Sequence, residues 1–269
     1  MDIIYLIQRE ALRRGMSHRT VKAYSDEVKK FFSYCKKEPR RITKKEIREY
    51  LGYLAGKGKS GSSLNMALSA LKFMTNEILF KTWRLGIKYS RRPKSLPVVL
   101  SKHEVLTLFD AIENKKHKLI VSLMYSAGLR LSELIHLKAY DIEDGYGWVR
   151  KGKGNKDRLF VIADKLKDEL KELIANLNGN EFLFKGNKGT HISQSTVYLI
   201  VKRAGKKAGI NKNVHPHTLR HSFATHLIEN GYDISLVQRL MGHNSLETTK
   251  GYIHLAFPKI NVKSPLDSL

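Results

Sequence analysis

Histidine and arginine stand close together in one segment of the chain, His215–Leu227. His217 and Arg220 are three residues apart, so on a helix they share one face. Pro216 favours the first turn of that helix. A cationic pair near a helix N-terminus can bind an anion, because the helix dipole adds positive potential there.

A metal site is the alternative interpretation of the same segment. His217 and His221 have the i, i+4 spacing of zinc proteases, but the glutamate that such an enzyme needs between them is missing. Arg220 would also repel a cation. We therefore predict no metal ion here.

Three other segments carry residues suited to phosphate chemistry. Arg130 directly precedes a predicted helix, and Lys153 lies in the turn-rich segment 152–157. His243 and Tyr252 follow near the end, nine residues apart. Transesterification at a phosphodiester needs these residue types: a nucleophile, a clamp for the nonbridging oxygens and an acid for the leaving oxygen.

Each of these residues also has a simpler interpretation. Tyr252 is one of 12 tyrosines, and a packed aromatic side chain is the ordinary role of such a residue. Lys153 competes with Lys151 and Lys156 in the same segment. Glu133, one helical turn from Arg130, either orients the arginines or forms a surface ion pair.

The order of the residues narrows the choice. In chain order they are Arg130, Lys153, His217 with Arg220, His243 and Tyr252. This set resembles the tyrosine site-specific recombinases and phage integrases, most closely the Xer-type recombinases. The resemblance covers almost the whole chain, and it selects Lys153 among the neighbouring lysines.

The resemblance implies an enzyme that breaks and rejoins DNA strands through a 3′-phosphotyrosyl link and a Holliday junction, without a cofactor. Tyr252 would be the nucleophile, and Arg130 and Arg220 would hold the phosphate. Glu133 would support the arginine pair.

Three residues would handle protons and the remaining phosphate contact. Lys153 would protonate the departing 5′ oxygen, and His217 would serve as general acid–base. His243 would donate a hydrogen bond to a nonbridging oxygen.

The net charge predicts a polyanionic partner. The chain has 49 Lys+Arg against 25 Asp+Glu, a net charge of +24, with a pI near 10.0. This excess is greater than solubility requires, and nucleic acid is its usual partner. The candidates for DNA contact are Arg19, Lys22, Lys44, Lys45, Lys59, Arg91, Arg92 and Lys156.

Several other classes of protein are excluded. Cys35 is the one cysteine, so the chain is neither a disulfide scaffold nor a cysteine-rich zinc protein. The longest apolar run, Leu119–Leu129, is interrupted and too short to span a bilayer. Residues 1–10 do not form a signal peptide. We therefore expect a cytoplasmic, nucleoid-associated protein without membrane contact.

Apolar periodicity predicts a mainly α-helical fold with a small β-hairpin. Residues 1–85 are predicted to be helical, with helices starting near Asp2, Ser17, Thr43 and either Ser62 or Ser63. The resemblance implies that they are an N-terminal SAM-like core-binding domain that clamps DNA. Residues 86–100 are a basic, proline-containing linker.

The remaining chain is predicted to be the catalytic domain, residues 101–257. Two short strands, Trp148–Arg150 and Arg158–Ile162, flank the loop that carries Lys153. Residues 258–269 form a tail whose docking on a neighbouring protomer is our hypothesis.

The predicted partner is duplex DNA with specific recombination sites, bound by a homotetramer or by a heterotetramer with a paralogue. Dimer resolution, integration, inversion and movement of a mobile element all fit the residues. Two rival hypotheses are a non-catalytic DNA-binding protein and a type IB topoisomerase-like relaxing enzyme.

Overall fold

The computed structural model describes residues 2–81, 83, 85–91, 97–150, 157–186, 189–242 and 264–268. The chain divides into two compact units, residues 1–95 and 96–269. Within the described residues, no helix is both long enough and apolar enough to span a membrane.

Four α-helices make up the N-terminal unit: α1 (Ile3–Arg13), α2 (His18–Cys35), α3 (Lys44–Gly56) and α4 (Gly61–Phe73). A π-helical turn, Met74–Ile78, extends α4, and a 3-10 turn, Pro39–Arg41, precedes α3. The apolar faces of these helices enclose one core, in which Phe31 and Ile47 are fully buried. The predicted helical bundle is therefore confirmed.

Side-chain caps explain where these helices begin. Asp2 caps α1, Ser17 caps α2, and Thr43 forms a capping box with Glu46 at α3. The predicted start of α4 is wrong by two or three residues. Ser60, rather than Ser62 or Ser63, accepts the hydrogen bond of the Ser63 backbone at 3.3 Å.

The predicted linker, 86–100, packs at both of its described ends. Asn65 on α4 brackets Ser90 with two hydrogen bonds of 3.0 and 2.7 Å. Leu100 is fully buried in the second unit, where its N–H donates to Ser222 Oγ at 2.9 Å. One end is thus bonded to α4 of the first unit and the other is buried in the second unit, and residues 92–96 lie outside the described chain.

The second unit, called the catalytic unit below after the domain that the sequence predicts for it, is mainly helical as well. Its helices are α5 (Lys102–Asp110), α6 (Lys115–Ser126), α7 (Leu131–His136), α8 (Lys167–Ala175), α9 (Gln194–Lys207), α10 (Pro216–Glu229) and α11 (Ile234–Met241). Short 3-10 turns occur at Ala139–Asp141, Asp164–Leu166 and Pro265–Ser268. Helix α6 runs through the centre of the core, and every residue from Leu119 to Ser126 is buried.

Two strands form the predicted small antiparallel sheet, β1 (Tyr146–Val149) and β2 (Arg158–Val161). Val149 pairs with Arg158, and Tyr146 pairs with Val161. The connection between the strands contains residues 151–156, which lie outside the described chain. The first residue of β2 therefore follows directly after the segment that carries Lys153.

The C-terminal segment Ser264–Ser268 lies against its own catalytic unit. Ser264 Oγ donates to the carbonyl of Ser126 at 3.0 Å, and Leu266 is buried in the main core. The predicted docking of residues 258–269 on a neighbouring protomer would require this segment to leave that position.

Candidate active site

Arg130 is positioned by the sharp turn between α6 and α7. Gly128 ends α6 with a left-handed backbone, φ +56°, and a Cβ there would meet the Phe223 ring at 2.4 Å. Only glycine fits this junction. Arg130 follows as the residue that begins α7, with its backbone N–H donating to Glu133 Oε2 at 2.9 Å.

Arg220 is positioned by α10. Pro216 occupies the first turn, as predicted, and Leu219 and Phe223 face the core. Arg220 is itself buried, 3% exposed, and donates hydrogen bonds to the carbonyls of Gly128 and Met241. Its guanidinium is thereby held against the turn that carries Arg130.

The end of α11 supplies three successive carbonyl acceptors to three arginines. Leu240 accepts from Arg158 Nη1 at 2.5 Å, and Gly242 accepts from Arg130 Nη2 at 3.1 Å. The carbonyl between them, Met241, accepts from Arg220. The negative end of the helix dipole thus faces a cluster of cations.

Gly242 allows this close approach. It ends α11 in the left-handed region, φ +59°, and a Cβ there would lie 2.7 Å from Arg158 Cδ. The sequence segment Leu240–His243 was singled out for its histidine, but within the described chain its contribution is the backbone of residues 240–242.

Glu133 connects all three arginines. Oε1 accepts from Arg130 Nη1 at 2.6 Å, and Oε2 accepts from Arg158 Nη2 at 2.6 Å. Arg220 Nη1 lies 3.8 Å from the same Oε2. The Glu133 side chain is 4% exposed, so the alternative of a surface ion pair is wrong.

The pKa of Glu133 reflects these partners. Burial acts to raise it, but the charge and hydrogen bond of Arg158 and the hydrogen bonds of Arg130 act in the other direction. Together they lower the pKa to about 2. Glu133 is therefore a carboxylate at neutral pH, with its oxygens committed to arginine.

Arg158 is the residue that sequence reasoning missed. It was assigned only to a strand, since one more basic residue in a strongly basic chain gives no signal of burial. In the structure it is 8% exposed and bonded to the same carboxylate as Arg130. The one sequence feature that marked Arg158 is its place at the first position of a predicted strand, next to the segment that contains Lys153.

The cluster carries an excess of positive charge. Three guanidinium groups, those of Arg130, Arg158 and Arg220, face one carboxylate, that of Glu133. Burial, then repulsion by the charges of Arg158 and Arg130, lower the pKa of Arg220 to about 9, although the charge of Glu133 opposes this shift. An anion bound here would relieve that repulsion.

The cluster opens toward solvent at Arg130. Its side chain is 18% exposed, against 9% for Arg158 and 4% for Arg220. A phosphate group arriving from solvent would therefore meet Arg130 first, with the other two guanidinium groups behind it. Arg130 and Arg220 present the kind of bidentate donors that phosphate oxygens accept.

His217 lies on the solvent-exposed side of the first turn of α10. Partial desolvation, then the charges of His215, Arg220 and Arg130, lower its pKa from 6.5. The ring is therefore neutral at neutral pH and able to accept a proton. Among the described residues, no group of three metal-ligating side chains is present.

The other predicted site residues divide into two sets. Those that are described and solvent-exposed are Arg19, Lys22, Lys44, Lys45, Lys59 and Arg91. Those that lie outside the described residues are Arg92, Lys153, Lys156, His243 and Tyr252.

Comparison with known proteins agrees with this geometry. Residues 98–259 match the model of the phage integrase family, and residues 6–85 match that of the phage integrase N-terminal SAM-like domain. The chain belongs to the phage integrase family. It is a tyrosine recombinase, with a SAM-like domain followed by the catalytic domain.

Individual relatives support the same assignment. The recombinase is 38% identical over 258 residues to a tyrosine recombinase of Thermosipho africanus. The match covers 90% of this chain and 91% of the relative. It is 38% identical over 244 residues to tyrosine recombinase XerA of Pyrococcus horikoshii. That match covers 88% of this chain and 84% of the relative.

A solved structure of a XerH site-specific recombinase bound to its difH substrate in a pre-cleavage complex is also similar. The TM-score is 0.69 and the sequence identity 25%, over 90% of this chain and 79% of that one.

Proposed function

We propose that this Xer-like recombinase exchanges DNA strands at specific sites through a 3′-phosphotyrosyl intermediate and a Holliday junction. The observation that carries the proposal is the buried cluster in which Arg130, Arg158 and Arg220 surround the Glu133 carboxylate, close to the neutral ring of His217. The transition state of phosphodiester cleavage gains negative charge on its nonbridging oxygens, and fixed cations stabilise that charge.

The chemical step balances with the residues of this chain. The Tyr252 hydroxyl oxygen forms a bond to phosphorus as the bond from phosphorus to the 5′ oxygen breaks. His217 accepts the tyrosine proton, and Lys153 supplies a proton to the departing 5′ oxygen. The phosphotyrosyl link keeps the energy of the broken bond, so rejoining by another 5′ hydroxyl needs no cofactor. His243 donates a hydrogen bond to a nonbridging oxygen.

Assembly on DNA completes the proposal. Two protomers on each of two duplex sites would form a tetramer, made of this chain alone or of this chain with a paralogue. The exposed basic residues of the N-terminal unit would hold the phosphate backbone. We place this activity in the cytoplasm, at the nucleoid. The C-terminal tail, residues 258–269, would dock on a neighbour once Ser264–Ser268 leave the position that they hold on their own unit.

Two biological roles fit this chemistry: resolution of chromosome or plasmid dimers, and movement of a mobile element. DNA trapped on the enzyme distinguishes them, because a fixed chromosomal or plasmid site favours the first role and a site at the end of a mobile element favours the second.

A covalent-trap assay tests the function. The protein is incubated with nicked fragments of the source genome, so that the freed 5′ end diffuses away and the adduct accumulates. We expect an adduct that maps to Tyr252, forms in the presence of EDTA and yields one DNA site. Tyr252→Phe should bind the same DNA and form no adduct.

Two results would contradict the proposal. An adduct that survives Tyr252→Phe would place the nucleophile elsewhere, and loss of cleavage on chelation would indicate a metal site. Relaxation of supercoiled plasmid without strand exchange between two sites would instead favour a topoisomerase-like activity.

A further inference from the structure

Arg158 connects three parts of the catalytic unit through one planar group. It is the first residue of β2. Its Nη2 donates to Glu133 Oε2 on α7 at 2.6 Å, and its Nη1 donates to the carbonyl of Leu240 on α11 at 2.5 Å. A lysine has neither the fork geometry nor the second nitrogen to make both contacts in this way.

The place that Arg158 occupies is energetically unfavourable for a guanidinium. Burial lowers its pKa, although the charge of Glu133 opposes that shift. Its buried Nε has no hydrogen-bond partner in the part of the chain that the structure describes. Well-packed apolar residues in place of a buried ion pair are often as stable or more so, so stability alone does not explain an arginine here.

The two contacts of Arg158 determine the geometry of the arginines that face the phosphate. By holding Glu133 Oε2, Arg158 sets the rotation of the carboxylate, which directs Oε1 at Arg130. By holding the Leu240 carbonyl, it sets the end of α11, whose next two carbonyls bind Arg220 and Arg130. Through Glu133, Arg158 thus orients Arg130, and through the end of α11 it orients both Arg220 and Arg130.

We propose that Arg158 is a positioning residue of the recombinase, which orients Arg130 and Arg220 for the scissile phosphate without touching it. The proposal rests on the function proposed above.

The first variant to test is Arg158→Lys, which keeps the charge and loses the fork. Single-turnover cleavage of a nicked site should fall by about 10- to 100-fold, as for other residues that orient a reacting group. Affinity for the same DNA should change less than about threefold, because Arg158 does not reach the surface.

Arg150→Lys is the matched control. Arg150 belongs to the same hairpin and binds a buried carboxylate, Asp141, at 2.9 Å, but its own side chain is 47% exposed and it does not contact the cluster. The Arg150→Lys variant should cleave at the wild-type rate.

A DNA substrate with an uncharged group at the scissile position tests whether Arg158 positions the arginines or only stabilises the fold. With a methylphosphonate in place of the phosphate, less negative charge develops and correctly placed arginines matter less. The cleavage defect of Arg158→Lys should therefore shrink at least severalfold on this substrate. An equal defect on both substrates would overturn the proposal, as would wild-type cleavage by the variant.

Glu133→Gln tests the contact between Arg158 and Glu133 at its carboxylate partner. The substitution keeps the shape of the side chain, so this variant can replace Arg158→Lys if the latter does not fold. Because Arg158 acts through Glu133, the double variant should cleave no more slowly than the slower single variant. If the rate reduction of the double variant equals the product of the two single reductions, the two residues act independently, and the proposal is contradicted.

Binding of inorganic vanadate gives a readout that does not depend on recombination. Vanadate should raise the melting temperature of the wild type and of Arg150→Lys, and raise it much less for Arg158→Lys. If the wild type forms no adduct with any DNA, the proposed function fails, and the vanadate comparison still decides the role of Arg158. Equal vanadate responses in the wild type and Arg158→Lys would overturn that role.

Discussion

Charged residues are arranged differently in the two units of the recombinase. In the N-terminal unit the described arginine–glutamate pairs lie at the surface, such as Arg13 with Glu10 at 2.7 Å, where the arginine side chain is 70% exposed. In the catalytic unit, Arg158 and Glu133 form a pair of 2.6 Å in which both side chains are less than a tenth exposed. The same residue types therefore serve under opposite conditions of solvation.

The difference indicates a division of work. Exposed pairs contribute about 0–1 kcal/mol each to stability, and their cations can exchange partners with DNA phosphates. A buried cluster cannot relax in this way, so it keeps a fixed geometry for a transition state. Variants in the buried cluster should therefore alter cleavage, and variants of the exposed basic residues in the N-terminal unit should alter binding.

The largest effect is expected at Arg220. Arg220→Lys removes the bidentate fork from a buried position, so single-turnover cleavage should fall by about 100- to 1,000-fold. DNA affinity should change less than about threefold, as measured by titration at fixed salt. Arg239→Lys, at an exposed arginine on α11, is the control and should cleave normally. A loss of affinity as large as the loss of cleavage would contradict the division of work.

The next effect concerns acid stability. The pKa of Glu133 is about 2 in the folded protein, against an ordinary value of 4.5, so the stabilisation is present above pH 4.5 and is lost as the pH falls toward 2. The full contribution is about 3 kcal/mol. Glu133→Gln should therefore unfold more easily than the wild type at pH 6, and the gap should narrow by pH 3.

Denaturant unfolding at each pH measures that gap. Glu49→Gln is the control, since Glu49 is an exposed carboxylate of the N-terminal unit, 3.9 Å from Lys45. Its difference from the wild type should stay within about 0.5 kcal/mol at every pH. A constant gap for Glu133→Gln would mean that its carboxylate is not stabilised by the arginines.

A smaller effect is expected at Gly242. Gly242→Ala introduces a Cβ 2.7 Å from Arg158 Cδ and forces an alanine into φ +59°, so it should lower both stability and cleavage. Gly231→Ala is a matched control, because Gly231 also has a positive φ, +85°, but has no atom within 4 Å of the added Cβ. Both should lose about 1 kcal/mol of stability from backbone strain.

Cleavage separates the two glycine variants. Only Gly242→Ala should slow it, by about tenfold or more, since only that Cβ displaces the arginine cluster. Equal cleavage by both variants would show that the end of α11 does not set the site.

The helices and their order were predictable from the sequence because apolar periodicity and capping residues are local signals. Asp2, Ser17 and Thr43 each cap a helix where the pattern predicts one. The predicted start of α4 is wrong because Ser60, Ser62 and Ser63 can all cap a helix. Only the folded backbone selects Ser60 among them.

The site was predictable in part. The resemblance identified Arg130 and Arg220, and the structure brings both to Glu133. Arg158 was not predictable, because the burial of a charge depends on how β2, α7 and α11 pack, and these elements are far apart in the chain. The roles of Lys153 and Tyr252 stay predictions.

The smallest effect per residue is expected in the N-terminal unit, and it completes the comparison. Lys44 and Lys45 are exposed at the start of α3. If both contact phosphates, Lys44→Gln with Lys45→Gln should reduce the slope of log affinity against log salt by about 2, whereas cleavage at saturating DNA stays at the wild-type rate. Lys30→Gln, an exposed lysine paired with Glu27 on α2, should leave the slope unchanged. A slower cleavage step at saturating DNA would mean that this unit also shapes the chemistry, and the two kinds of charge would no longer have separate roles.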